Sequence, residues 1–462
     1  MIDRNLPWYA CLATSLTASL TLAACGDPSG GRGDDDVGDD FPLTTVTLSA
    51  SGTQGSATAG DEVGQTGSAS QGSASVTVGS ADGTAGTMGE PKFDVGSPDG
   101  GADCGDMGDG MTHSYIWIAN SGQGTVSKIN TQTLVEEGRY IVRPDSAGNP
   151  SRTSVALSGN VAVANRAGGV VKIFQNSADC QESNGMPGIQ TSTDANTLAW
   201  GVEECIAWYA PFAYQTQRPL AWAQGTFNNA TCKYENEMLW TSGRQGPGPA
   251  DVLLLDGETG ATVSSAVVPN VIGWAGLYGG AVDTNGNFWS VDHNWDGAST
   301  LVRVDRVSMA VSTWPVVGQV HYGLAVDPQG RAWLCGNGGA SRFDPVTATW
   351  AHLPPANGGS ALGGCMTDDQ GVLWQSRYPD AVLVGIDTET LAVVETIPIP
   401  AYVHGVSIDF DGYIWGVQFS GSEAYRVDPV TQTVDTVGGL IGAYTYSDMT
   451  GFALSSVGTP SG

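Results

Sequence analysis

Charge is what this chain has least of. Asp, Glu, Lys and Arg together make up 14% of 462 residues, against roughly 25% in an ordinary soluble protein. Basic residues are scarcer still, with 18 Lys and Arg against 47 Asp and Glu, for a net charge of −29. Such a chain cannot neutralise a run of phosphates, so nucleic acid is excluded as a partner, and charge would not draw it to an anionic membrane surface. Histidine occurs only 5 times. The cysteines form no CxxC pair and no Cys/His spacing of the kind that holds zinc, and no CxxCH is present for haem. No apolar run is long enough for a secure membrane span. Glycine, in contrast, is abundant at 65 residues, which suits a β-rich fold with many turns joined to a flexible segment.

The first residues read as an export signal. Arg4 precedes an apolar stretch from Leu6 to Leu22, which ends Leu22-Ala23-Ala24-Cys25. That ending resembles the lipobox of bacterial lipoproteins. The resemblance implies removal of residues 1–24, diacylation of Cys25 and an extracytoplasmic domain held on the cell envelope by its lipid. Gly26 after the cysteine is similar to lipoproteins directed to the outer membrane, so a periplasmic or surface-exposed position is expected. Residues 25–110 are dominated by Gly, Ser, Thr, Ala and Asp, with an acidic cluster at Asp34–Asp36 and Asp39–Asp40. So little apolar surface cannot offset the entropy of ordering, and a solvated tether is expected.

From residue 111 a unit recurs. Its clearest copies run from Tyr278 to Trp289, His321 to Trp333, Gly364 to Trp374 and His404 to Trp415, with tryptophans 44, 41 and 41 residues apart. Each is a short apolar strand, a turn carrying Asp and Gly, and a second strand containing the Trp. A second turn follows at Asn130, Asp256, Asp305, Asp344, Asp387 and Asp428, so each period holds two hairpins, which is one four-stranded propeller blade. Trp240 and Trp117 extend the series backwards, and Val161–Asn165 with Val170–Phe174 supplies a blade lacking its Trp. An all-β, seven-bladed β-propeller over 111–462 is therefore expected, the tryptophans packing blade against blade. The terminal stretch Asp448–Leu454 is expected to complete blade one as its inner strand. Between Trp117 and Trp240 the rhythm breaks, and a Cys- and Trp-rich insertion is placed at about 175–236.

Of the cysteines left after processing, Cys335 and Cys365 fall on neighbouring blades and are expected to pair. Two of Cys180, Cys205 and Cys232 are expected to staple the insertion, and Cys104 is the remaining candidate.

Propeller geometry sends the starts of inner strands and the loops between second and third strands to one face. That face should gather Tyr278, His321, Tyr322 and His404 with Asp292, His293, Arg377 and Gln418, and with Asn120, Asn165, Arg166 and Arg244. Three histidines beside Asp292 could ligate a metal such as Mg or Ca, or perform acid–base work. Equally, they could line a polar mouth in which Tyr278, Tyr322, Arg377 and Gln418 contact a ligand.

The blade units resemble the streptogramin (virginiamycin B) lyase family, within the wider group of NHL-like propellers, over about residues 111–454. The resemblance implies a magnesium-assisted eliminase with His and Glu on the axial face, and His321 and His404 match its histidines. The family's carboxylate three residues after the blade Trp falls here on Asn120, Gly243, Asp292, Gly336, Arg377 and Gln418, so Asp292 alone retains it. Two functions follow. One is a binding or interaction module that presents its axial face, or the aromatic insertion with Trp200, Trp208, Tyr209 and Trp222, to a protein, glycan or peptide. The other is a lyase-like or hydrolase-like enzyme using His293, His321 and His404. A quinoprotein-type redox propeller would need a tryptophan-docking motif that the blades lack.

Overall fold

The computed structural model describes residues 114–294, 298–318, 322–355 and 362–458. Cys25, read above as a lipidation site, the stretch read as a tether, Cys104 and His321 lie outside them.

Seven antiparallel sheets succeed one another as blades. Blade one comprises Tyr115–Asn120, Thr125–Asn130 and Glu136–Ile141, and blade two Pro150–Val155, Val161–Asn165, Val170–Ile173 and Ile206–Ala210. Blade three is Thr216–Ala223, Met238–Arg244, Ala250–Asp256 and Thr262–Val268. Blades four to seven begin at Leu277, Gly323, Cys365 and Val403, each with four strands in sequential order. The inner strands contact one another in turn around the axis.

One Asp explains the spacing of the repeat. In blade five, Asp327 Oδ1 accepts the backbone N–H groups of Gln329 and Arg331, while Oδ2 accepts Trp333 Nε1 at 2.8 Å. Blades four, six and seven repeat the indole bond through Asp283 (3.0 Å), Asp368 (2.8 Å) and Asp409 (2.7 Å). The carboxylate thus caps the inner hairpin turn and fixes the Trp six residues on, which buries against the neighbouring blade as expected. Gly330 closes the turn at a φ of 79°, where a side chain would be strained. The second turn is an Asx turn. Asp305 Oδ1, for instance, takes the N–H groups of Val307 and Ser308.

Ring closure uses the C-terminus, but in another form from the expected strand. Residues 440–449 run from blade seven to blade one without a regular ladder. Ser420 N–H donates to Ala443 O at 2.8 Å, Tyr444 N–H to Ala119 O at 3.1 Å, and Trp117 N–H to Met449 O at 2.9 Å. Phe452–Gly458 is a short helix where a strand to Leu454 was expected. Asp448 decides this. Its carboxylate accepts the N–H groups of Gly451 (2.8 Å) and Leu454 (2.9 Å), turning the chain instead of extending it.

The interval 175–236 resolves into two excursions separated by regular strands. The first lies between the third and outer strands of blade two and is stapled by the Cys180–Cys205 disulfide. The second is the hairpin Thr226–Asn228 and Lys233–Glu235 on blade three. Cys335 and Cys365 are bonded across blades five and six as expected. Cys232 is disulfide-bonded as well.

Candidate functional site

The inner strands deliver a tier of aromatic and cationic side chains to the axis. Tyr278, Tyr322 and His404 occupy one register position in blades four, five and seven, three residues before the residue paired with the blade Trp. Arg218 holds that position in blade three and Gly363 in blade six. Blade two contributes Arg152, and the closing segment adds Tyr444 and Tyr446. All but Gly363 have almost no solvent exposure.

The tyrosines form a hydrogen-bonded knot. Tyr278 Oη lies 2.7 Å from Tyr322 Oη and 3.0 Å from Tyr444 Oη, and the last two are 3.1 Å apart. Tyr322 Oη also meets His404 Nε2 at 2.9 Å, and Tyr402 Oη meets His404 Nδ1 at 2.9 Å. A continuous chain of titratable groups therefore leads from the axis outwards to Tyr402, whose ring abuts Tyr378. Guanidinium groups cover the knot. Arg152 stacks 3.3 Å from the Tyr446 ring centroid and 4.7 Å from that of Tyr278, Arg166 lies 4.1 Å from Tyr444, and Arg218 5.6 Å from Tyr278.

This arrangement separates the acidities of chemically identical groups. Burial opposes ionisation of Tyr278, yet Arg152 and Arg218, with the hydrogen bonds of Tyr322 and Tyr444, bring it down to about 8. Burial instead pushes Tyr444 up to about 12, and Tyr322 and Tyr446 are raised as well. His404 falls to about 3 through burial and the charges of Arg152 and Arg166, so it is neutral across the physiological range.

Around this tier the same face carries an apolar rim. Ile272 is 62% exposed, Trp274 45%, Ile441 43% and Tyr378 37%. Trp274 is tied to the tier through Arg218, 5.0 Å from its ring, and the half-buried Phe419 stands 4.9 Å from His404 and 5.3 Å from Tyr444. Further along the axis a cavity of about 40 Å³ is lined by Ala221, Trp222, Ala281, Leu324, Met366 and Leu454, room for about one water molecule.

The expected site residues divide. Tyr278, Tyr322, His293 and His404 converge, His293 edge-on to Tyr322 at 5.3 Å. Asp292 has another task. Its oxygens accept the N–H groups of Ile272 (2.9 Å) and Gly273 (2.7 Å), so it shapes the rim loop. Among the described residues no group of three His, Cys, Asp or Glu side chains is placed to hold a metal. Arg377 pairs with Asp380 at 2.9 Å. Gln418 caps its own hairpin, donating to Tyr425 Oη at 2.7 Å and accepting from Ser422 and Glu423. Trp222, counted with the aromatic insertion, is buried on an inner strand and donates to Ser154 O at 3.0 Å. Arg152, Arg218, Tyr444 and Tyr446 were not anticipated. The register rule identifies Arg218, whereas Arg152 sits at a bulge in the blade without a Trp.

No family model matches the chain, and no curated protein matches it. Solved structures do. A functionally unknown protein from Desulfotomaculum acetoxidans matches with a TM-score of 0.50 at 10% identity, over 72% of this chain and 100% of its own. Virginiamycin B lyase from Staphylococcus aureus matches with a TM-score of 0.45 at 12% identity, over 65% of this chain and 89% of its own. A streptogramin B lyase structure matches with a TM-score of 0.36 at 17% identity over 43% of this chain, which spans 64% of that structure's length. At these identities the likeness is one of fold.

Proposed function

We propose that the chain is a lipid-anchored extracytoplasmic binding propeller that takes a protein, glycan or peptide ligand on its axial face. One observation carries this reading: exposed Ile272, Trp274, Tyr378 and Ile441 share a face with a buried aromatic tier. An apolar rim over a few convergent polar groups is the common anatomy of a binding site. The Leu22-Ala23-Ala24-Cys25 ending supports the anchor, and the Gly- and Ser-rich stretch after it would give the propeller reach from the membrane. A photo-crosslinking residue at Trp274 in the producing cell should give a discrete adduct. The same residue at Val430, exposed on a turn of the opposite face, should give none. Equal labelling at both positions would refute the assignment of the face.

A lyase-like or hydrolase-like activity is the second reading. Its support is the Tyr278–Tyr322–His404–Tyr402 chain, which couples a phenol of lowered pKa to a neutral imidazole. Turnover of a cyclic depsipeptide that disappears in His404→Ala, with folding intact, would favour it over the binding module.

A further inference from the structure

We propose that the axial tier contains a carboxylate subsite, in which the edge of Arg152 formed by Nε and Nη2 grips the acid group of the ligand while Tyr446 Oη donates to it. The proposal rests on the axial face being the ligand face and names the ligand's chemistry. Four polar groups of the tier, Ser151 Oγ, Arg152 Nε, Arg152 Nη2 and Tyr446 Oη, are buried without a hydrogen-bond partner among the described residues. Arg152 Nε and Nη2 are donors only, and the Tyr446 hydroxyl is able to donate. Arg152 is completely buried, and among the described residues Nη1 is its only nitrogen with a hydrogen-bond partner, donating to Ser151 O at 2.8 Å.

Why the two free nitrogens are the telling ones is a matter of shape. Nε and Nη2 present parallel N–H groups along one edge of the guanidinium, the fork that matches the two oxygens of a carboxylate. The tyrosines do not fill this role. Arg152 meets Tyr446 and Tyr278 through their ring faces, and the Tyr278 oxygen bonds to Tyr322 and Tyr444. Arg166 and Arg218 stand over the same rings and add positive potential. A buried cation whose strongest edge is unmatched is strongly unfavourable, and an incoming carboxylate relieves that. The aromatic rim favours a ligand whose acid group is attached to an apolar or aromatic body.

The test uses sodium benzoate as probe, with benzyl alcohol as its uncharged counterpart, sodium phosphate as a tetrahedral anion and sodium chloride as the ionic-strength control. Benzoate should raise Tm saturably, while the alcohol and chloride leave it unmoved. Arg152→Met should abolish the response. Tyr446→Phe keeps the ring that stacks on Arg152, and should weaken benzoate binding about tenfold, the worth of a charge-assisted hydrogen bond. The second variant keeps the question decidable should the first fail to fold. A benzoate response unchanged in Tyr446→Phe and Arg152→Lys overturns the subsite. So does an equal response to benzyl alcohol, which would leave the aromatic rim as the ligand face. Phosphate acting as well as benzoate overturns the carboxylate assignment. No response to any probe, with the Trp274 adduct still formed, overturns this proposal alone.

Discussion

Replacing Tyr278 by Phe removes one oxygen from the axial knot and should remove a titration with it. Arg152 and Arg218 hold the Tyr278 phenol at about 8 in the folded chain, against about 10 for an unfolded tyrosine. A folded pKa depressed below the unfolded one gives stability that is fully present above pH 10 and is lost as pH falls through 8. Two pKa units correspond to about 2.7 kcal/mol, an upper figure for a group wired to its neighbours. Lys128, lowered to about 8 by burial, adds a rise with pH in the same window. The quantity to follow is therefore the stability difference between wild type and Tyr278→Phe. Urea unfolding at intervals from pH 7 to 10 should show that difference growing by about 2 kcal/mol in favour of wild type. Absorbance at 295 nm gives an independent reading. A step worth one tyrosine of the total tyrosinate signal should appear near pH 8 and vanish in Tyr278→Phe. A wild-type curve without a step below pH 9.5, or a step that survives the substitution, would refute the reasoning.

The two kinds of turn aspartate should differ in worth. Asp327→Ala strips the buried indole of Trp333 of its acceptor and leaves Arg331 with Glu389 as its remaining carboxylate partner, and should cost about 3 kcal/mol by urea unfolding. Asp344→Ala, on an exposed Asx turn, should cost about 1 kcal/mol. Equal losses would refute the division between packing and capping. Cys180→Ser with Cys205→Ser opens a staple spanning 25 residues, which should cost about 2–4 kcal/mol and expose 181–204 to limited proteolysis before any blade. Intact resistance would count against the staple. Cys25→Ser should move the protein from the detergent phase to the aqueous phase on Triton X-114 partitioning and abolish palmitate labelling. Unchanged partitioning would remove the anchor.

The fold was legible because one residue type does two tasks at a fixed distance. The aspartate that caps the inner hairpin also binds the indole six residues on, so spacing and chemistry are read together in Asp283, Asp327, Asp368 and Asp409. Where that pair is missing, the reading weakened. Blade two has Ala162 in place of the Trp, and with no marker for its register Arg152 went unnoticed. The closing segment lacks alternation because its bonds go to two blades in turn, and so Tyr444 and Tyr446 carried no strand signature. Loop residues failed for another reason. Topology places Arg377, Gln418 and Asp292 on the axial face, but each is held by nearby groups: Gln418 caps its own hairpin, Arg377 pairs with Asp380, and Asp292 binds the backbone of the loop before blade four.

The closure of the ring also sets a clock. Ser121 and Tyr444 lie side by side in the finished propeller, although 323 residues separate them along the chain. At about 5–20 residues added per second during synthesis, blade one waits roughly 15–65 seconds between its own appearance and the arrival of the segment that seals it. Throughout that interval the first strand presents an unpaired backbone edge able to capture any passing strand. The nascent protein is thus most vulnerable at its oldest blade, and truncation by even a score of residues at the far end would leave that vulnerability permanent.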